Sequence, residues 1–97
     1  MKNIFDPLRR ILILQGLERA PGRELSNEMI QRLLAACCHR LSVAEVNAQI
    51  AWLESRGYAE TERPGEGGFV FARPTRAGID VALGFARAEG IDPPPRE

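Results

Sequence analysis

The side chains best suited to a chemical role lie in one short stretch, residues 42–49. Asn47 and Gln49 carry amide groups that can each form two hydrogen bonds with N6 and N7 of adenine. Ser42 and Ala44 lie just before them, and an alanine methyl can contact the methyl group of thymine. We therefore take these four residues as candidates for reading base edges in DNA. The alternative is that they are ordinary solvated residues.

Contact with nucleic acid also requires positive groups that reach phosphates. The candidates around this stretch are Arg40, Arg56, Arg63, Arg73 and Arg76, with Arg32 and His39 nearby. Two features argue against this role. The 13 Lys and Arg residues are balanced by 13 Asp and Glu residues, so the chain has no basic excess. Glu60, Glu62 and Glu66 would repel a phosphate backbone, and the arginines can equally be ordinary surface residues.

Cys37, Cys38 and His39 form the only cluster in the sequence with metal-ligand chemistry. Consecutive residues on a helix point about 100° apart, so they cannot close a tetrahedral site without a remote fourth ligand. Cys37 lies on the apolar stripe of the second predicted helix and is interpreted as a small core residue. We expect no metal and no cofactor, and two reduced cysteines, which are typical of a cytoplasmic protein.

Catalysis finds little support in the residue types. There is one histidine, no nucleophile motif and no phosphate-binding glycine loop, because Gly65, Gly67 and Gly68 do not precede a helix. We expect no catalytic residue and no enzymatic activity. The apolar run at 11–14 is too short for a signal peptide or a membrane span, so no contact with a membrane is expected.

Three helices are predicted in the first half of the chain. The first spans 7–19, with Asp6 as its cap and Pro7 at its first position. The second spans 27–39 and begins at Ser26, and the third spans 43–56 and begins at a capping box formed by Ser42 and Glu45. Val43, Val46, Ile50 and Leu53 form the predicted buried stripe of the third helix. Two separately capped helices joined so closely must turn sharply, which is typical of a helix-turn-helix.

The second half of the chain changes to strand periodicity. Strands are predicted at 58–63 and 69–73, joined by a glycine-rich turn at 64–68. Thr75 then caps a last helix over 76–89. The fold class is α+β, mainly α: three helices, a two-stranded β-hairpin and a C-terminal helix. One domain is expected over residues 1–90, followed by a flexible tail over 91–97.

This order of elements resembles the winged helix-turn-helix superfamily over nearly the whole chain. Two stretches carry the resemblance: Val46-x3-Ile50-x2-Leu53-Glu54-x2-Gly57-Tyr58, and Phe71-x3-Thr75-x2-Gly78. They look like the recognition helix entering the first wing strand, and the second wing strand entering the last helix. The sequence is similar to the small ArsR-like regulators, and more narrowly to short winged-helix proteins of Mu-like phages and prophages. It lacks the Cys-x-Cys pair of the metal-sensing members.

The ArsR-like proteins typically dimerise through their terminal helices, so the resemblance implies a homodimer. Ile13 and Leu14 fall off the main apolar face of the first helix, and Val81 and Phe85 form part of a second face on the last. These four residues are the candidates for the dimer surface. Trp52, beside the buried stripe of the third helix, is expected to pack against the first helix or the hairpin.

Two functions follow from these observations. The first is a sequence-specific DNA-binding protein, a transcriptional regulator whose helix 43–56 enters the major groove of double-stranded DNA. The second is a winged-helix module that binds another protein, for example in phage assembly or packaging, without contacting DNA. The neutral charge and the acidic hairpin favour the second.

Overall fold

Residues 3–95, described by a computed structural model, form four α-helices and three short antiparallel strands. This confirms the mainly helical α+β class. The elements in chain order are α1 (Asp6–Arg19), a 3-10 turn (Pro21–Arg23), β1 (Leu25–Ser26), α2 (Asn27–Ala36), α3 (Val43–Ser55), β2 (Ala59–Glu62), β3 (Phe71–Pro74) and α4 (Arg76–Ala82).

Side-chain caps begin three of the helices where the sequence predicts them. Ser26, Ser42 and Thr75 each accept a hydrogen bond from a backbone N–H of the first turn of α2, α3 and α4. The prediction for α1 is wrong, because the helix already includes Asp6 and Phe5 precedes it without a side-chain cap. Asp6 instead forms an ion pair with Arg9 one turn later, at 3.4 Å.

The sheet has a strand that the sequence did not predict. Its order is β1-β3-β2, so the expected two-stranded hairpin is extended by Leu25 and Ser26, which pair with Ala72 and Phe71. Along β2 and β3 the side chains alternate. Ala59 and Ala72 are buried, whereas Glu60, Glu62 and Arg73 are exposed on the outer face.

Helix α1 is surrounded by the other elements and contacts α2, α3, α4 and β3. Ile11, Ile13, Leu14 and Leu17 therefore have no exposed surface. This corrects the prediction that Ile13 and Leu14 belong to a dimer surface, since both are already covered within one protomer. Val81, assigned to the same surface, is also buried. Phe85 is 79% exposed and remains available to a partner.

The last helix is seven residues shorter than predicted. It ends at Ala82 because Gly84 adopts a left-handed conformation two residues later, with φ of 84°. The predicted boundary at residue 90 is also wrong, because Ile91 is buried and the N–H of Asp92 donates to the carbonyl of Pro7 at 3.1 Å. Residues 96 and 97 of the predicted tail lie outside the described residues.

Candidate nucleic-acid interface

Helix α3 buries one side and leaves the opposite side open. Val46, Ile50 and Leu53 lie in the core, whereas Ala44, Ala48 and Ala51 are exposed along the outer face. Val43 does not join the buried stripe as predicted, since it is 36% exposed at the start of the helix. The outer face is therefore a row of methyl groups rather than of amides. We call Ala44, Ala48 and Ala51 the alanine face.

The start of α3 is fixed by its capping box. The N–H of Glu45 donates to Oγ of Ser42 at 3.1 Å, and the N–H of Ser42 donates to Oε1 of Glu45 at 3.0 Å. Hydrogen bonding to the Glu45 carboxylate, from the Ser42 backbone first and from the Ser42 side chain second, lowers the pKa of Glu45 from its ordinary value. Ser42 is exposed at this end of the helix, beside Ala44 of the alanine face.

Asn47 lies at the edge of the alanine face and is half-buried. Its Oδ1 accepts a hydrogen bond from Nδ2 of Asn27 at 3.0 Å. Nδ2 of Asn27 also donates to the carbonyl of Gly68, at 3.1 Å. Pairing with adenine needs both the oxygen and the nitrogen of the amide, and the oxygen of Asn47 is occupied. Only its Nδ2, which forms no hydrogen bond with residues 3–95, can donate to a base.

Gln49 is half-buried and lies on the side of α3 that faces α1. Its Oε1 accepts from Nε of Arg10 on α1 at 2.8 Å. The structure therefore separates Gln49 from the other base-reading candidates, and its assignment to a base-reading surface is corrected. A signal for this was present in the sequence, because Gln49 follows the buried Val46 by three positions and precedes the buried Leu53 by four.

The arginines predicted to contact phosphates fall into three environments. Arg40, Arg63 and Arg76 are exposed and form no ion pair with any residue from 3 to 95. Arg73 is paired with Glu24, whose Oε2 lies 2.8 Å from Nε of the arginine. Arg56 lies over the ring of Trp52, 4.6 Å from its centroid.

The outer face of the sheet is acidic. Hydrogen bonding to Glu24 raises the pKa of Arg73, and the charges of Glu62 and Glu60 raise it further. Three carboxylates therefore surround one guanidinium group. A phosphate backbone would be repelled from this face, so the structure argues against Arg73 as a phosphate contact.

The Cys37–His39 cluster does not form a metal site. α2 ends at Ala36, before the predicted residue 39, so Cys37 leaves the apolar stripe and is exposed, contrary to the prediction that it is a core residue. Nδ1 of His39 accepts from Nε of Arg9 at 3.2 Å. Among residues 3–95 no group of three His, Cys, Asp or Glu side chains could hold a metal ion, and no helix is long and apolar enough to cross a membrane.

An apolar groove runs between α1 and α2, with a volume of about 510 Å³. Leu12, Leu33 and Met29 line it, and Met29 is 56% exposed. Arg19 and Arg32 also line the groove, and no acidic residue does.

No protein-family model matches the sequence, and no curated protein matches it either. The indications of function therefore come from the surfaces of the molecule. Three of them stand out in residues 3–95: the alanine face of α3, the apolar groove between α1 and α2, and a cavity beside Trp52.

Proposed function

We propose that the protein is a winged helix-turn-helix DNA-binding protein and that α3 is its recognition helix. The observation that carries the proposal is the uncovered outer side of α3, which follows α2 after a short connection and leads directly into the β2–β3 hairpin. The major groove of B-DNA is about 12 Å wide and admits an α-helix. The hairpin is the wing in this assignment.

The alanine face determines how α3 would contact bases. Small side chains let the helix lie deep in the groove, where alanine methyl groups contact the methyl group of thymine. Ser42 and Nδ2 of Asn47 are the hydrogen-bonding groups beside this face that could contact a base, and the exposed carboxylates of Glu45 and Glu54 flank it. We expect a preference for A·T-rich sites, with hydrogen bonds contributed mainly by the N-terminal half of α3.

Phosphate contacts are assigned to Arg40, Arg63 and Arg76. Three contacts predict a slope of roughly −3 for the logarithm of the binding constant against that of the salt concentration. Two protomers on one site would double the slope. Because specific binding to DNA usually involves more contacts than one protomer offers, we infer that two copies bind a palindromic site.

The test is a selection from a random duplex library at about 50 mM salt, where phosphate contacts are least screened. The wild type is expected to enrich an A·T-rich palindrome. Ala48→Glu places a carboxylate on the alanine face, against the floor of the groove, and is expected to abolish the enrichment. Met29→Glu adds the same charge at an exposed side chain outside α3 and should leave it intact.

A wild type that is folded but enriches nothing would overturn the proposal, as would Ala48→Glu behaving like Met29→Glu. The second candidate function, binding of another protein, would then be favoured. The observation that supports it is the apolar groove between α1 and α2. Arg19 and Arg32 beside its apolar floor match an amphipathic helix with acidic flanks. Display of helical peptides should enrich such sequences, and enrichment of basic ones would contradict this candidate.

A further inference from the structure

A cavity of about 380 Å³ lies where the start of α1, the end of α3 and the turn at Gly90 meet. Its walls combine charged and apolar side chains, among them Arg10, Arg56, Trp52, Ile4 and Pro7. A volume of this size is within the range of small-molecule sites, which is roughly 300–1,000 Å³.

Two guanidinium groups share the ring of Trp52. The Cζ atom of Arg10 lies 3.8 Å from the ring centroid and that of Arg56 lies 4.6 Å from it. Both side chains thus place positive charge against one indole, which attracts each of them but does not relieve their mutual repulsion. An anion between the two groups would relieve it.

Arg10 is held in a fixed position. Its Nε donates to Gln49 at 2.8 Å and its Nη1 donates to the carbonyl of Gly90 at 3.0 Å. Its Nη2 forms no hydrogen bond with residues 3–95, and the nearest carboxylate oxygen, on Asp6, is 3.9 Å away. Burial lowers the pKa of Arg10, the charge of Asp6 raises it, and the charge of Arg56 lowers it again.

The positive charge of Arg56 has fewer compensating partners than that of Arg10. It forms no ion pair and no side-chain hydrogen bond with residues 3–95, and it is exposed at the end of α3. Two carboxylates also line the cavity, those of Asp6 and Glu89. Asp6 already pairs with Arg9 at 3.4 Å, and Glu89 is exposed to solvent, which screens its charge. The cavity therefore retains one positive group without a close partner.

We propose that this cavity binds a small organic anion. Its carboxylate or phosphate group lies between Arg10 and Arg56, and its apolar part lies against Ile4 and Pro7. The site does not depend on the proposed function, because neither the alanine face of α3 nor the hairpin lines it.

Trp52 is the only tryptophan of the chain and reports directly on the site. The probes are benzoate and phenyl phosphate, which join the two anionic groups to the same apolar ring. Benzyl alcohol and benzylammonium carry that ring without a negative charge, and acetate and inorganic phosphate carry the charge without the ring. Titrations without DNA follow the fluorescence of Trp52, with calorimetry as the second readout. We expect saturable binding of the aromatic anions, tighter than that of acetate and inorganic phosphate.

Comparison of benzoate with phenyl phosphate tells which anionic group the site prefers. Arg56→Gln is expected to weaken the preferred anion about tenfold, since it removes a charged hydrogen-bond donor. Glu89→Gln is expected to tighten it about twofold, because it removes an exposed negative charge. Arg23→Gln, which removes an exposed arginine that does not line the cavity, should leave the affinity for the anion unchanged. These opposite effects distinguish anion binding from a purely structural role of Arg10 and Arg56 on the ring of Trp52.

Three results would overturn the proposal. The first is that neither aromatic anion saturates the protein below about 10 mM, a very weak interaction. The second is that benzyl alcohol binds as tightly as the anions, which would make the cavity an apolar pocket only. The third is that Arg56→Gln binds the anions as well as the wild type does.

Discussion

Asn27 joins α2, α3 and the β2–β3 hairpin through one buried amide. Only 1% of its surface is exposed. Its Nδ2 donates to Oδ1 of Asn47 and to the carbonyl of Gly68, and its Oδ1 accepts from the N–H of Glu28 at 3.0 Å. The hairpin is therefore held against α3 by a side chain that lies in neither element.

Asn27→Ala is expected to lower the free energy of unfolding by about 2 kcal/mol, because two partly buried hydrogen bonds lose their donor. Urea unfolding measures this loss. Asn47→Ala breaks only one of the two contacts and should cost less. Hydrogen exchange at residues 68–70 should also become faster in Asn27→Ala. Equal stability of the two variants would contradict the role assigned to Asn27.

The same residues show what the sequence can predict at this scale. The caps Ser26, Ser42 and Thr75 were predicted correctly because a cap acts within one helical turn. The partners of Asn27 and Gln49 were not, because they lie 20 to 41 residues away along the chain. By residue type alone, Asn47 and Gln49 are equivalent candidates for reading bases. Only the residues that they contact in the structure distinguish them.

At the scale of the elements, three helices end in the same way. After α2, α3 and α4, a residue with positive φ is followed by one whose N–H reaches back to the last turn of the helix. The residues with positive φ are Cys38, Gly57 and Gly84, with φ of 69°, 81° and 84°. Glycine adopts this conformation without strain, whereas cysteine does not. The end of α2 is therefore the strained member of the set.

Cys38→Gly is expected to stabilise the protein by about 0.5–1 kcal/mol, because it removes the Cβ penalty at positive φ while raising the entropy of the unfolded chain. Gly57→Ala is the matched opposite change. Its added Cβ has open space around it, so the cost of about 1–2 kcal/mol comes from the backbone conformation alone. Thermal and urea unfolding measure both. Destabilisation by Cys38→Gly would contradict this account.

Helix ends and strands were predictable to the extent that their signals are local. The end of α3 was predicted to within one residue, because Gly57 follows it and glycine is the common residue at that position. Cys38 gives no such signal, and α2 was predicted three residues too long. β1 was missed because it has two residues and exists only through pairing with β3, more than 40 positions later.

For the molecule as a whole, the apolar surface left over after folding differs from the predicted one. Ile13, Leu14 and Val81 are buried, and pairs of exposed large apolar side chains lie before α1, where Ile4 is 85% and Phe5 50% exposed, and after α4, where Leu83 is 48% and Phe85 79% exposed. The proposed binding to a palindromic DNA site requires two protomers. We infer that Leu83 and Phe85 form the contact between them, because Phe85 is one of the residues that the sequence assigns to the dimer surface and an exposed apolar surface can mark a site of association.

The mass in solution tests this inference. Sedimentation equilibrium of the wild type is expected to give twice the protomer mass at micromolar concentration, and Phe85→Asp the mass of one protomer, since a carboxylate cannot be buried unpaired at an apolar contact. Met29→Asp makes the same kind of change at an exposed apolar residue in the groove between α1 and α2, and it should remain dimeric. If Met29→Asp dissociates and Phe85→Asp does not, the two copies meet through the groove instead. A wild type that is monomeric at all concentrations rules out both surfaces as contacts between free protomers and leaves DNA as the only element that could bring two copies together.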